Sequence, residues 1–284
     1  MNWHVDTYYA FTRHGAGGNP AGVCLSQRFP EDTQMLDIAA QMGFSETAFA
    51  IRHGTGFRVR YFSPAAEVDF CGHATLALGK ALAVKFGDGS FTLQLNHSHI
   101  TVSCSGSTAY LHSPPASARP ISQPMLEKYL AICGISPDAL SKSLPGGLAY
   151  AGNLHLMLPL PAIEDVDTIA YDFEKAKRAM QQDQLTTLVP MHVAQSSVHM
   201  RNLFAAGNVY EDPATGAAAA AVAGYLRDHQ CLTYSTDGTA TLSFTQGDAM
   251  GQPCTLAASL TDKPDTSVTV SGDVIGPIDD TVII

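Results

Sequence analysis

Short stretches of strand-like composition alternate along this chain with windows of helical period. Val5–Phe11 and Ala21–Ser26 read as strands, separated by the glycine-rich turn 14–19. Glu31–Met42 carries apolar residues at Met35, Ile38, Ala39 and Met42, the period of an amphipathic helix. Pro30 precedes it and Gly43 closes it, as helix ends require. Ala48–Ile51 and Phe57–Phe62 return to strand composition, and Phe91–Leu95, Ile100–Cys104 and Thr108–His112 predict a β-meander. Residues 113–124 contain four prolines and read as an interdomain linker. Beyond it, helices are expected near Met125–Cys133 and at Phe173–Gln182. Strands are expected at Leu154–Leu160, Thr186–Ala194, Val198–Ala205, Ala240–Thr245 and Cys254–Ser259.

Two stretches break the alternation because they are apolar on nearly all sides, and a similar loop opens both. The first loop runs from Glu67 through Cys71 to Gly72, His73, Ala74 and Thr75; the second runs from Glu211 through Asp212, Pro213, Ala214 and Thr215 to Gly216 and Ala217. Glu lies five residues before Gly in both, Leu82 and Leu226 lie ten residues after it, and the copies are 144 residues apart in a chain of 284. This spacing reads as one half-molecule used twice. A helix of such composition belongs inside a domain. Its first turn has N–H groups without intrahelical partners and the positive end of the macrodipole, so two such starts on one cleft would bind a carboxylate. The small residues Gly72, Ala74, Gly216 and Ala217 would let a ligand approach the backbone. Two core helices with tight turns and no ligand would show the same pattern.

Acid–base candidates surround the loops. His73 lies in the first turn of the first helix, Asp212 precedes the second, and Glu46 is a lone acid in the largely uncharged segment Phe44–Phe49. Apolar surroundings favour the neutral form of a carboxylate, the state a general acid needs. A helix end in solvent would equally account for Glu46, a turn before Pro213 for Asp212, and a packed imidazole for His73.

Six sequence elements, in order, resemble the phenazine-biosynthesis PhzF-like family, relatives of diaminopimelate epimerase. They are Gly18-Asn19-Pro20-Ala21, then Ser45-Glu46-Thr47-Ala48-Phe49, and Arg60 to Pro64 with Glu67 to Thr75. Arg201 with Phe204, Glu211 to Gly216, and Gln246 to Gly251 follow. The resemblance implies an α/β (α+β) fold of two similar domains, each a barrel-like mixed sheet around a central apolar helix, with the active site in the cleft between them. The expected boundaries are 1–116 and 117–267, with 268–284 returning to the first domain. It further implies a cofactor-free isomerase that shifts a proton on a small cyclic or amino-acid-like carboxylic acid. In that template Glu46 is the proton shuttle, and His73 and Asp212 complete the acid–base set. Asn19, Gly72 and Gly216 hold the substrate, with Cys71, Thr215 and Ala217 beside them in the same loops. The analogy alone points to a homodimer.

Some positions depart from the family. Ala217 follows Gly216 where the phenazine enzymes commonly have Ser, and Gln252 stands where Arg is common, so the substrate is expected to differ from the phenazine precursor. Those differences keep a non-catalytic small-acid receptor in view, and a hydratase or dehydratase would use the same base. Epimerase relatives pair two cysteines across the substrate. Cys71 matches the first, but Pro213, Ala214 and Thr215 occupy the place of the second, which argues against a two-cysteine racemase. Cys71 then reads as a small packed residue at the loop.

Composition narrows the remaining classes. With 45% hydrophobic and 15% charged residues this is a folded globular chain. A net charge of −10 argues against nucleic acid as partner. The apolar runs are shorter than the ~18 residues a bilayer span needs. The six cysteines show no CxxC spacing and the start shows no signal-peptide pattern, so a reducing cytoplasm is expected. No HExxH occurs, and the closest histidine pair, His97 and His99, reads as two residues of a strand or turn, so no metal is expected. No nucleotide-binding fingerprint is present.

Overall fold

A computed structural model describes residues 3–283; Met1, Asn2 and Ile284, which the expected boundaries include, lie outside the described residues. The chain divides into two compact units, one formed by the residues up to His112 with those from Ser271 on, the other by Ser113–Val270.

In the first unit the elements are β1 (His4–Ala10), β2 (Asn19–Ser26), α1 (Asp32–Met42), β3 (Thr47–His53), β4 (Gly56–Phe62), β5 (Glu67–Val68), α2 (Gly72–Phe86), β6 (Gly89–Gln94), β7 (His99–Ser105) and β8 (Thr108–Pro115). The strand Ser267–Ile283 lies between β8 and β1, so the order β1-β2-β3-β4-β6-β7-β8 closes into an eight-stranded barrel. The helix α1 covers the barrel from outside, packing Met35 and Ile38 against Phe49 and Phe62. Its ends follow the sequence signals, with the Glu31 N–H donating to Gln34 Oε1 at 3.0 Å and Gly43 in the left-handed region at φ 69°.

The helix α2 is different in kind. It packs against β1, β2, β3, β6 and β7 and is buried on nearly every side, as expected of an apolar helix inside a barrel. Closeness is achieved at Gly79, where an added Cβ would stand 2.6 Å from Val102 Cγ2 on β7. Any larger residue there would press the helix off the barrel wall.

The second unit repeats this plan. Its elements are β9 (Ser117–Pro120), α3 (Gln123–Ile132), β10 (Gly147–Tyr150), β11 (Leu154–Pro159), α4 (Ile163–Asp167), α5 (Phe173–Asp183), β12 (Thr187–Ala194), β13 (Ser197–Met200), α6 (Gly216–Asp228), β14 (Thr239–Gln246), β15 (Cys254–Thr261) and the start of β16 (Ser267–Ile283). The run β10-β11-β12-β13-β14-β15 pairs antiparallel, parallel, antiparallel, parallel, antiparallel. The run β1-β2-β3-β4-β6-β7 pairs in that same sequence of directions. The apolar helix occupies the same place in both, after the fourth strand of the run. The helix α6 is buried from Ala218 to Arg227 and packs against β9, β10, β11 and β15. The fold is thus the α/β pair of similar barrel-like units that the resemblance implies.

Two local expectations are corrected. Residues 113–124 are not a free linker: β8 runs through Pro115, β9 ends at Pro120, and Pro124 lies in the first turn of α3. Each is a position where the missing N–H of proline is tolerated. The strand expected over Val198–Ala205 ends at Met200, and beyond it Leu203 alone keeps β-bridges, to Leu188 and Glu211. Backbone pairing with β12 nevertheless continues in register, with the Arg201 N–H donating to the Pro190 carbonyl and Leu203 exchanging both hydrogen bonds with Leu188.

The parallel pair β11/β12 sets His155 opposite Thr187, whose Oγ1 is 2.7 Å from its Nδ1. Burial alone pushes the imidazole down to about 3. The unfolded chain therefore takes up a proton near the ordinary value of about 6.5 while the fold does not. Stability falls as pH drops from there towards about 3, at most by about 1.4 kcal/mol per pH unit. His155→Gln should flatten that part of the acid-unfolding profile in urea titrations between neutral and mildly acidic pH.

Candidate active site

Each buried helix is entered through a loop that an Arg–Glu pair fixes in place. In the first unit Arg60 on β4 donates through Nε and Nη2 to the two carboxylate oxygens of Glu67, at 2.8 and 2.6 Å, and through Nη1 to Asp32 Oδ1 at 2.7 Å. These hydrogen bonds hold the Glu67 carboxyl below the usual range. In the second unit Arg201 donates through Nε and Nη2 to Glu211 Oε2, at 3.0 and 2.7 Å. Its Nη1 donates to the carbonyls of Val166, Asp167 and Ile169, thereby capping the end of α4. The glutamate five residues before each helix glycine is therefore a brace for the loop, which accounts for its repetition.

In the first unit the loop brings the candidate side chains together. Cys71 precedes α2 in extended conformation, Gly72 and His73 open the helix, and Glu46 comes just before β3. The Gly22 N–H donates to the Glu46 carbonyl at 3.3 Å, tying that segment to β2. Glu46 Oε2 stands 3.5 Å from His73 Nε2 and 3.4 Å from Cys71 Sγ. Cys71 Sγ lies 3.3 Å from His73 Nδ1, and Ser45 Oγ lies 3.3 Å from His73 Nε2. Exposure of the side chains is 18% for Glu46 and 6% for His73, so the carboxylate reaches solvent while the imidazole behind it does not. Such a cluster can pass a proton among a carboxylate, a thiol and an imidazole. Gly72 has no atom within 4 Å of where a Cβ would stand, leaving the helix start open to a ligand. Asn19 is buried at the start of β2.

The second unit holds the other expected residues. Asp212 Oδ2 accepts from Thr215 Oγ1, and Thr215 is the cap residue of α6, followed by Gly216 and Ala217. Gln246 stitches the loop: its Nε2 donates to the Asp212 carbonyl at 2.7 Å and its Oε1 accepts from the Thr215 N–H at 3.3 Å. The Asp212 N–H donates to the Asn202 carbonyl at 3.0 Å. Asn202 itself is fully buried, and neither end of its carboxamide has a protein partner. Nothing in the sequence singles it out, because a lone asparagine carries no spacing signal.

Cys71 is packed at the loop as expected, 9% exposed, and its thiol also lies between Glu46 and His73. His97, by contrast, meets Asp69 at 3.4 Å with both side chains exposed, and His99 lies on β7.

The sequence profile of the phenazine biosynthesis-like protein family (PhzC-PhzF) matches residues 8–276. Among curated proteins, the "Uncharacterized isomerase YddE" of Escherichia coli K12 is 28% identical over 286 residues, covering 96% of this chain and 95% of that protein. Among solved structures, the PhzF-family phenazine biosynthesis protein of Bacillus anthracis superposes with a TM-score of 0.86 at 20% identity, covering 100% of this chain and 99% of the other. A "Predicted Epimerase" of Pseudomonas aeruginosa follows with a TM-score of 0.79 at 21% identity, covering 96% of both chains. Both structural likenesses establish the fold. The chain belongs to the phenazine biosynthesis-like family. No helix among the described residues is long and apolar enough to cross a membrane.

The two braces differ in exposure, 3% for Glu211 against 27% for Glu67. Arg201→Ala should lower the unfolding free energy by about 3–5 kcal/mol, since it strands a buried charge. Arg60→Ala should cost about 1 kcal/mol or less. Urea unfolding of the two variants checks the ranking, and equal losses would contradict it.

Proposed function

We propose that this isomerase-family enzyme shifts a proton on a small cyclic or amino-acid-like carboxylic acid, with Glu46 as the base that removes it from carbon and the acid that returns it. The observation that carries this reading is the partly exposed Glu46 carboxylate set against the buried His73 and Cys71 at the start of α2. The relatives' name, isomerase, supports the same class of reaction.

In this reading the C–H electron pair of the substrate moves into the adjacent unsaturated system as Glu46 takes the proton. The enolate-like charge so formed is met by the N–H groups of the first turn of α2, beside Gly72, which have no intrahelical partner. Glu46 then delivers the proton to another carbon of the conjugated framework. His73, held by Ser45 and Cys71, keeps the carboxylate oriented and shares the proton. The reaction so written needs no cofactor. Asp212 serves as a further acid–base and hydrogen-bonding group, with Thr215, Gly216 and Ala217 at the start of α6 as substrate contacts. Asn19 is an additional polar contact. The six free thiols support a reducing, cytoplasmic setting.

Glu46→Gln should keep the fold and lower turnover roughly a thousandfold, read by NMR as deuterium incorporation from D2O and double-bond position across a panel of unsaturated, hydroxy and amino acids. Unchanged exchange in that variant would refute the role of Glu46. Binding without exchange in either protein would instead indicate a receptor, and loss or gain of water a hydratase. Gly72→Ala meets no protein atom. It should leave stability within about 0.5 kcal/mol and cut turnover roughly a hundredfold by blocking substrate approach. Full activity in that variant would remove Gly72 from the substrate site.

A further inference from the structure

Thr75, the fourth residue of α2, is fully buried, and its hydroxyl makes two hydrogen bonds of 2.6 Å. One joins Oγ1 to the carbonyl of Cys71, four residues back, and the other joins it to the hydroxyl of Tyr61 on β4. A hydroxyl carries a single proton and a carbonyl can only accept. The Thr75 proton therefore goes to Cys71, and Tyr61 donates to Thr75. Burial pushes the Tyr61 hydroxyl up, which keeps it a donor. The Thr75 N–H donates to the same Cys71 carbonyl at 3.0 Å. We propose, on the isomerase reading, that Tyr61 and Thr75 are positioning residues: by clamping the Cys71 carbonyl they aim the Gly72 N–H out of the helix start, as a donor to the enolate-like charge.

Covalent geometry links the clamp to the site. The peptide between Cys71 and Gly72 is planar and trans, so its C=O and N–H point in opposite directions. With the carbonyl drawn along the helix by two donors, the Gly72 N–H has to point off the first turn, where no acceptor among the described residues meets it. The space beside Gly72 is open there. A carbonyl that accepts two hydrogen bonds also polarises its own peptide, which makes that N–H a stronger donor. Tyr61 is placed between the two segments of the site. Its backbone pairs with Ala48 on β3, two residues after Glu46, and with Val68 on β5, three residues before Cys71. Its ring meets Phe70 edge-on at 6.4 Å. The helix start is thereby referenced to the strand that follows the base.

The second unit supplies the comparison. A threonine bonded to the carbonyl four residues earlier is by itself an ordinary helix feature. Yet α6 opens with the same backbone hydrogen bond, from the Ala219 N–H to the Thr215 carbonyl at 3.1 Å, and has this alanine where α2 has Thr75. A buried helix thus starts without the hydroxyl, and the Tyr–Thr chain belongs to the unit that holds Glu46.

The test compares Thr75→Val, Thr75→Ser, Tyr61→Phe and the double variant Tyr61→Phe/Thr75→Val in the full chain. In the deuterium-exchange assay Thr75→Val should lower kcat roughly a hundredfold. KM should stay within about twofold, since the charge arises only in the transition state. Thr75→Ser, which keeps the hydroxyl, should retain most of the turnover, and Tyr61→Phe should lose less than Thr75→Val. Thr75→Val strands the buried Tyr61 hydroxyl and should lower the urea midpoint, whereas the double variant removes both partners and should recover it. Turnover in the double variant should nevertheless stay low. Recovery of kcat together with the midpoint would reduce the pair to a stabilising contact and overturn the proposal. A second measurement needs no turnover: the chain is labelled with 15N-glycine, the Gly72 amide is assigned by its loss in Gly72→Ala, and acetate is titrated in by NMR. The Gly72 amide should shift saturably in wild type and Thr75→Ser and respond much more weakly in Thr75→Val and the double variant. Equal responses in wild type and Thr75→Val, or none in wild type, would overturn the clamp. If wild type exchanges no acid, the isomerase reading falls, while the acetate response still decides whether Tyr61 and Thr75 aim the Gly72 N–H.

Discussion

The start of a fully buried helix is the constraint on which the rest of this molecule depends. A helix such as α2 or α6 has little solvent around its body, so its first turn is where its unsatisfied N–H groups can meet a ligand. That end has to be held open and in register, and the loop leading to it has no strand of its own beyond the two residues of β5. An arginine on the neighbouring wall supplies the anchor through Glu67 in one unit and Glu211 in the other. The cost of burying the second pair is offset by the three carbonyls that also accept from Arg201.

From that anchor the chemistry of the first unit follows. Fixing the loop fixes Cys71 at the helix entrance and His73 one turn edge further on, and the β2–β3 pairing delivers Glu46 to the same spot. The result is a compact set of three different proton-binding groups, one of them at the solvent edge. Such a set suits movement of a proton at carbon.

The second unit shows how a duplicated frame can diverge. Its loop keeps the glutamate and the helix glycine but carries Asp212 and Thr215 where the first carries Val68 and Cys71. Gln246 takes over the stitching of the loop, and no cysteine or histidine is near in sequence. One frame thus carries a carboxylate, a thiol and an imidazole at its helix start, and the other Asp212, Thr215 and Gln246 at the equivalent place.

Much of this was legible in the chain itself. The 144-residue spacing of the two loops, the all-round apolar helices after them and the periodicity of α1 and α5 follow from local composition, because burial leaves its mark residue by residue. Glu46, His73 and Asp212 were marked by residue type and neighbourhood. The part played by Cys71 was not legible, because Glu46 lies 25 residues before it and only the sheet brings the two within 3.4 Å. Nor was the purpose of the repeated glutamate, since an arginine ten residues upstream of Glu211 gives no sign of turning inward. The proline-rich segment misled for a related reason: prolines at strand ends and in a helix's first turn look like those of a linker until the pairing partners are known. The sequence alone therefore determined where α1, α2, α5 and α6 lie and that α2 and α6 are buried, as these depend on near neighbours. Tertiary structure decided which side chains meet, because that depends on strand order and on buried charges finding partners far along the chain.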